Sequence, residues 1–562
     1  MNSDKQIICP LCNDAVDKLL YRFHIGSEKK IIDKIRQEHP AWTEMDGLCS
    51  RCVDYYHTEI VIEQRILPAI GPHFPIKSAD DFVILPTGLR VDADPKYTGK
   101  GVTICFVDSG FYEHPDLVAS RNRIKLILDI TSQYSSSTLT SRSTSSSLPI
   151  KESAAWHGTM TTVVCAGDGY LSKGLYKGIA NDAMLVLLKV QDQQGKISTE
   201  NIVKALEWIL ANHLQYDIRI VNISLGDDAM SSYKESRVDQ LAEALIAEGI
   251  SVVAAVGNDE RGYIHPPANA LNVIAVGGVD DDNKLGNGEN KAYHSSYGKT
   301  VDELMKPELV AHAIWIAAPI LPGTDEQTEA AILYRLLSVT DTDIQKELEN
   351  HIAKTKLDHS VLEWGDAGYK RQFITKRIRE AKYISPDYMH VDGTSFAAPI
   401  VSSVIAQLLE ARPELTPAHI RQILFGSAKR ILGIAPERQG FGMIQPRKAI
   451  LKILKREFIM KQQESPFINY RKQTIEFCLH NDCAEQISLA GSFNHWAQDV
   501  LLMEPGKNGF WKIEIPLLPE GRYQYKFFVD SCRWVEDIDN PYREPDGFNG
   551  FNSILVVKPE LN

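Results

Sequence analysis

Three short motifs in this 562-residue chain carry residue types that can together cleave an amide bond. Val107-Asp108-Ser109-Gly110 closes one apolar run, His157-Gly158-Thr159 opens a run of small residues, and Gly393-Thr394-Ser395-Phe396-Ala397-Ala398-Pro399 opens a second apolar stretch. A serine hydroxyl is a weak nucleophile and needs a base within hydrogen-bond reach. An imidazole can take its proton and later return it to the leaving amine. A carboxylate on the other ring nitrogen fixes the tautomer and stabilises the imidazolium. Taken singly, Asp-Ser-Gly reads as a turn and Gly-Thr-Ser as a helix cap, so the chemistry lies in the combination.

The elements around these motifs are those that could bring them together. Gly101–Val107, Ala183–Val190 and Ile250–Val256 read as buried strands, and Thr199–His213 reads as a helix with Ile202, Ala205, Leu206 and Ile209 on one face. Strands alternating with helices predict a parallel sheet and an α/β class. Asp108 at a strand end and His157 at a helix start would meet at the carboxyl edge of that sheet, where open α/β folds bind ligands. Ser395 at the start of its helix would lie among free backbone N–H groups that favour an oxyanion. The expected layout is a Cys-rich unit over 1–60, a linker over 61–95, the α/β unit over 96–456, a linker over 457–472 and an all-β unit over 473–562. Residues 131–148 are almost all Ser and Thr and predict a surface loop. Residues from about 320 to 386 form a charged helical insertion with an apolar stripe at Ile332, Leu333, Leu336 and Leu337, readable as a lid, a docking surface or a plain appendage.

With these motifs the chain resembles the subtilisin-like serine proteases, peptidase family S8, which share the order Asp, His, Ser. The likeness runs through Lys100-Gly101-Val102, Gly178–Leu185, Asn222-Ile223-Ser224-Leu225-Gly226, Ala254-Ala255-Val256-Gly257-Asn258 and Gly440-Phe441-Gly442. It departs at Met160, at Ile400 and at Lys306–Ala313, which lacks the usual Ala-Pro-Gly turn. The resemblance implies a three-layer core and a serine endopeptidase in which Asn258 and the Ser395 N–H stabilise the oxyanion. It further implies that Ser224, Leu225 and Gly226 bind substrate main chain as an added strand, and that Ala254, Ala255, Val256 and Gly257 line the pocket for the residue before the scissile bond. No inhibitory prodomain is read before Asp108, and no calcium site is located.

Cys9-Pro10-Leu11-Cys12 and Cys49-Ser50-Arg51-Cys52 are two Cys-x-x-Cys pairs. Four thiolates suit a closed, structural, tetrahedral Zn²⁺ site. The long spacer leaves His24, His39 and His57 as substitute ligands, and free thiols or a redox switch as the other reading. Cys105 and Cys165 lie in apolar runs and read as small core residues.

The C-terminal segment alternates apolar and polar residues in Trp511–Ile515 and Tyr523–Val529. With Leu489–Trp496 and Leu518–Asp530 it resembles the glycogen-binding domain of the AMP-activated protein kinase β subunit and its relatives in carbohydrate-binding module family 48. That resemblance implies an immunoglobulin-like β-sandwich with Trp496, Lys526, Trp534 and Asn552 at the sugar contacts, on α-glucan or in a module that binds a partner protein. An exposed Trp stacks on the apolar face of a sugar while polar groups take its hydroxyls.

The net charge of −12 argues against nucleic acid as the main partner. The N-terminus has no basic region followed by an apolar core, no run approaches the ~18 apolar residues of a bilayer span, and nine cysteines with two close pairs fit a reducing compartment. The expectation is a cytoplasmic peptidase acting on protein or peptide, without a membrane partner. Its end domains would target or gate it. A scaffold with an idle triad is the contrasting reading.

Overall fold

The architecture is that of a computed structural model describing residues 7–11, 15–16, 19, 25–49, 51–53, 55–56, 59–60, 84–132, 152–227, 230–285, 290–454, 465–481, 483–506 and 509–558. Cys12, His24, His57 and the greater part of the Ser/Thr-rich loop lie outside the described residues.

Seven parallel strands form the central sheet: β1 (Thr103–Asp108), β2 (Ile124–Asp129), β3 (Met184–Lys189), β4 (Ile218–Ile223), β5 (Ser251–Ala255), β6 (Ile274–Asp280) and β7 (Leu309–His312). Their order is β7-β6-β5-β4-β1-β3-β2, with a short antiparallel strand, Lys291–Ala292, beside β6. Every residue of β1 is buried, as a parallel strand covered on both faces requires. Its side chains alternate, Ile104 and Phe106 into one apolar cluster and Cys105 and Val107 into the other. The helices α1 (Glu152–Ala166), α2 (Thr199–Tyr216) and α3 (Arg237–Ala247) connect successive strands. α2 and α3 cover one face, and α1 covers the other. Cys105 and Cys165 are fully buried core residues.

After β7 the chain makes an antiparallel ribbon of β8 (Ile316–Pro319) and β9 (Tyr388–Val391). The insertion fills the space between those two strands with α4 (Asp325–Ser338), α5 (Ile344–His351) and α6 (Ala367–Glu380). It has its own core, including Leu333, Leu336, Leu348, Ile374 and Ile378. Buried Glu329 ties it together, accepting from Arg377 at 2.9 and 2.8 Å and from the Tyr383 hydroxyl at 3.0 Å. β9 leads directly into Gly393 and α7 (Thr394–Ala411). Gly393 has φ +139°, a region that side-chain-bearing residues rarely adopt. α7 is long and apolar enough to cross a bilayer, and 83% of it is buried as the central core helix of the α/β unit.

The C-terminal unit is a sandwich of two antiparallel sheets. One orders β10 (Phe467–Asn469), β11 (Thr474–His480), β14 (Phe510–Pro516) and β13 (Glu504–Pro505) as β10-β11-β14-β13. The other orders β12 (Ile487–Gly491), β15 (Gly521–Val529), β18 (Phe551–Val557) and β17 (Arg543–Pro545) as β12-β15-β18-β17, with β16 (Arg533–Val535) beside β15.

Both expected linkers need correction. β10 falls within 457–472 and pairs with β11, a three-residue edge too short to show a period. Within 61–95, Arg90 is buried, donates to Asp281 at 2.9 Å and reaches the carbonyls of Ile314 and Trp315. A long-range ion pair of this kind leaves no local composition signal.

Candidate active site

β1 ends on Asp108, which is 1% exposed. Its Oδ1 lies 2.7 Å from Nδ1 of His157 and accepts from the Ser109 N–H at 2.7 Å, and its Oδ2 accepts from the Thr161 hydroxyl at 3.1 Å. A carboxylate with these donors has little freedom to turn away from the imidazole. His157 sits in the second turn of α1, because the helix begins at Glu152, earlier than the sequence suggests. Burial acts to lower the His157 pKa, but the charge of Asp108 and its hydrogen bond outweigh burial and raise it above the ordinary 6.5. Phe396 and the exposed Trp156 flank the ring at centroid distances of 5.9 and 5.4 Å.

Ser395 stands in the first turn of α7, beside Phe396. Its hydroxyl donates to the Ser224 carbonyl at 3.2 Å and not to His157, while the Ser224 hydroxyl donates to the Ser395 carbonyl at 2.9 Å. Asn222 holds Ser224 from below, donating to its Oγ at 3.0 Å and accepting from Ser402 at 2.9 Å. Asn258 follows β5, and its Oδ1 accepts from the Thr394 N–H at 2.9 Å and the Thr394 hydroxyl at 3.1 Å. With the oxygen so engaged, the amide NH₂ faces the Gly393 turn, 3.6 Å from where a Cβ on Gly393 would stand.

The expected pocket wall needs correction by parity. Ala254 and Val256 are 0% and 3% exposed and belong to the apolar cluster under α2 and α3. Side chains alternate along an extended segment, so Ala255 and Gly257 take the opposite face. Gly257 has φ +101°, and a Cβ there would meet Ser296 Oγ at 3.0 Å. Leu225 packs partly against that same cluster, and Gly226 is exposed beside His265 and Pro266. Sequence reasoning missed Thr161 and Asn222. Thr161 lies one helical turn after His157, a spacing that could have revealed it.

In the N-terminal unit the Sγ atoms of Cys9, Cys49 and Cys52 lie within 4.8 Å of one another, with Cys9–Cys52 at 3.8 Å and Cys49–Cys52 at 3.6 Å. All three residues are buried.

On the sandwich, Tyr525, Phe527 and Val529 point into the core, so Gln524, Lys526 and Phe528 face outward. Trp496 and Trp534 meet there at 5.9 Å, and Trp534 lies 4.6 Å from Phe528. A cavity of about 400 Å³ opens among Trp496, Phe528, Ser488, Gln498 and Asp499. His495 and Trp496 are both in the left-handed region, φ 54° and 60°, in a turn held by Asn494, whose Oδ1 accepts from the Gly491 N–H at 2.8 Å. Lys526 is 9% exposed and ion-paired with Asp546, so its ammonium is engaged within the domain. Asn552 donates to Gln524 at 3.2 Å. Trp511 is core, its indole N–H on the Asn481 carbonyl at 3.1 Å.

Residues 99–442, more than half of the chain, match the Subtilase family. The chain belongs to that family. This subtilase is therefore a hydrolase of the serine endopeptidase class. It is 26% identical to "Serine protease AprX" of Bacillus subtilis over 63% of this chain and 67% of that protein. It is 29% identical to "Subtilisin Savinase" of Lederbergia lenta over 46% of this chain and 84% of that one. The chain spans 37% of "Minor extracellular protease Epr" of Bacillus subtilis. Among solved structures, "S41 Psychrophilic Protease" aligns at 18% identity and a TM-score of 0.44, over 65% of this chain and 99% of that one. Residues 466–542 match carbohydrate-binding module 48, the isoamylase N-terminal domain.

Proposed function

We propose that this subtilase hydrolyses peptide bonds of protein or peptide substrates through an acyl-enzyme on Ser395, with His157 as general base and acid and Asp108 as its orienting carboxylate. The observation that carries the reading is the 2.7 Å contact between His157 Nδ1 and a buried Asp108 held by two further donors. Substrate main chain adds beside Ser224–Gly226, and the Ser395 hydroxyl turns from the Ser224 carbonyl to His157 Nε2. Such catalytic hydrogen bonds often tighten only when substrate is bound. The Ser395 oxygen attacks the carbonyl carbon as its proton passes to His157. The tetrahedral oxyanion accepts from the Asn258 amide and the Ser395 N–H. Collapse breaks the C–N bond, and His157 gives its proton to the leaving amine. Water, deprotonated by His157, then cleaves the ester and restores the hydroxyl.

The test is labelling of the whole protein with a fluorophosphonate, with the adduct mapped by mass spectrometry. The label is expected on Ser395, and Asn258→Ala is expected to lower kcat for peptide hydrolysis about 100- to 1000-fold, the range for one lost oxyanion donor. A label elsewhere, or full activity in Asn258→Ala, would overturn these assignments.

The N-terminal thiols support a structural zinc. A tetrahedron with Zn–S bonds of about 2.3 Å has S–S edges of about 3.8 Å, and Cys9–Cys52 and Cys49–Cys52 stand 3.8 and 3.6 Å apart. Cys9, Cys49 and Cys52 would hold the ion as thiolates, with Cys12 as the fourth ligand. The ion would contribute folding energy to a small unit. The reading requires reduced thiols, hence the cytoplasm. One zinc per chain is expected by elemental analysis, falling below a tenth in Cys49→Ser/Cys52→Ser; zinc-free protein with an intact N-terminal unit would overturn it.

The C-terminal sandwich is proposed to bind α-glucan on the outer face bearing Trp496 and Trp534, and so to target or gate the peptidase. The cavity beside those rings and the carbohydrate-binding module match support this reading.

A further inference from the structure

The sandwich and the peptidase unit share a buried seam. Arg543 of β17 is 4% exposed, its guanidinium 4.0 Å from the Phe441 ring of the peptidase and 4.6 Å from Phe551 of the sandwich. It points at the carbonyls of Met305 and Pro307, each at 3.4 Å. Arg430 of the peptidase pairs with Glu536 and donates to the Asn549 carbonyl at 2.9 Å. A planar guanidinium stacked between two aromatic rings fixes orientation as well as contact.

At the edge of this seam a set of polar contacts runs from the outer face of the sandwich to the oxyanion segment. Asn552 donates to Gln524 Oε1 at 3.2 Å, and Gln524 Nε2 donates to Glu544 at 3.2 Å. Glu544 also accepts from Arg522 at 2.8 Å and, across the domain boundary, from Lys299 at 3.0 Å. Arg522 reaches back to Glu303 of the peptidase at 3.0 Å. Lys299 lies in the Gly298–Lys299 strand, paired with Met305–Lys306. Three residues earlier, the Ser296 N–H donates to the Gly257 carbonyl at 3.1 Å and its hydroxyl to the Asp259 carbonyl at 2.8 Å. His294 Nδ1 lies 2.9 Å from the Asn258 carbonyl. Residues 294–296 therefore hold three consecutive carbonyls of the segment that presents the Asn258 amide.

We infer that the Lys299–Glu544 contact couples α-glucan on the outer face of the sandwich to the oxyanion segment of the peptidase. The inference rests on the glucan reading above. Sugar hydroxyls compete for the Asn552 and Gln524 amides. When Gln524 leaves Glu544, more of that carboxylate's charge is available to Lys299. The Gly298–Lys299 strand is drawn in, and residues 294–296 seat Asn258 more firmly. An exposed ion pair is individually weak, so the expected coupling is a few-fold and not orders of magnitude.

The experiment uses the full chain, a short chromogenic peptide carrying no sugar, and maltoheptaose as the probe, with binding followed by calorimetry. Maltoheptaose is expected to raise kcat/KM about threefold in the wild type. Lys299→Met is expected to lower the basal kcat/KM slightly, because the Lys299–Glu544 contact is already made without sugar, to bind maltoheptaose within about threefold of the wild type, and to lose the rise. Trp534→Ala is expected to lose both binding and rise. Binding to the wild type with no change in kcat/KM, or an equal rise in Lys299→Met, would overturn the coupling and leave the glucan reading standing. No binding to the wild type would overturn both, and calorimetry separates that outcome from the others.

Discussion

On the proposed mechanism, Ser395→Ala is expected to lower kcat by about a millionfold, and adding His157→Ala to the same chain is expected to lower it no further. In the proposed mechanism the hydroxyl and the imidazole are two halves of one proton-transfer step, so removing either would leave nothing for the other to do. What survives comes from the parts the mutation leaves in place: the Asn258 amide, the Ser395 backbone N–H and the substrate strand at Ser224–Gly226. The measurement is hydrolysis of a chromogenic peptide by the two variants, with circular dichroism as a check on folding. The fold should not suffer, because the Ser395 hydroxyl makes one part-buried hydrogen bond, to the Ser224 carbonyl, and such a bond contributes about 1 kcal/mol. An additive loss in the double variant would mean that another base serves Ser395.

Asp108 and Ser395, two members of the proposed triad, stand out in the sequence because each combines a telling residue type with an element end, whereas His157 lies inside α1. Asp108 follows a run whose continuous apolarity marks a strand buried on both faces, and Ser395 follows a glycine and opens an apolar helix. The helix predicted over Thr199–His213 forms as Thr199–Tyr216. Other features depend on parity or on distant partners. Ala254, Ala255, Val256 and Gly257 look alike as small residues, yet alternation sends Ala254 and Val256 into the core and leaves Ala255 and Gly257 on the other face. The Thr161 hydroxyl matters only once the carboxylate of Asp108 is known to face α1. Arg543 between Phe441 and Phe551 had no local signal, because a charged residue in an edge strand normally faces water. Likewise the insertion is readable in sequence as a lid, a docking surface or a plain appendage. In space it lies between the two strands of the β8–β9 ribbon, and Lys382 at its end is ion-paired with Asp392, three residues before Ser395.

Asp108→Asn is expected to lower kcat about ten-thousandfold and at the same time to move the acid limb of the pH profile downward. The two effects have separate causes. In the proposed mechanism the Asp108 carboxylate, 2.7 Å from His157 Nδ1, accepts from Nδ1–H, which leaves Nε2 free to take the Ser395 proton. Asparagine in that place can turn its NH₂ toward Nδ1, so the ring proton moves to Nε2 and the base presents the wrong tautomer. The pH shift follows from charge. Burial lowers the His157 pKa, but the charge and hydrogen bond of Asp108 raise it past the ordinary 6.5. In the proposed mechanism the neutral imidazole is the active form, so wild-type kcat/KM is expected to fall as the pH drops through a midpoint above 6.5. With Asp108 replaced, burial alone remains, and the midpoint falls below 6.5. The variant therefore holds more neutral imidazole at pH 7 than the wild type and is still far slower, which separates orientation from basicity. A profile of kcat/KM from pH 5 to 9 for both proteins decides the point. An unchanged acid limb would show that the group titrating in catalysis is not His157.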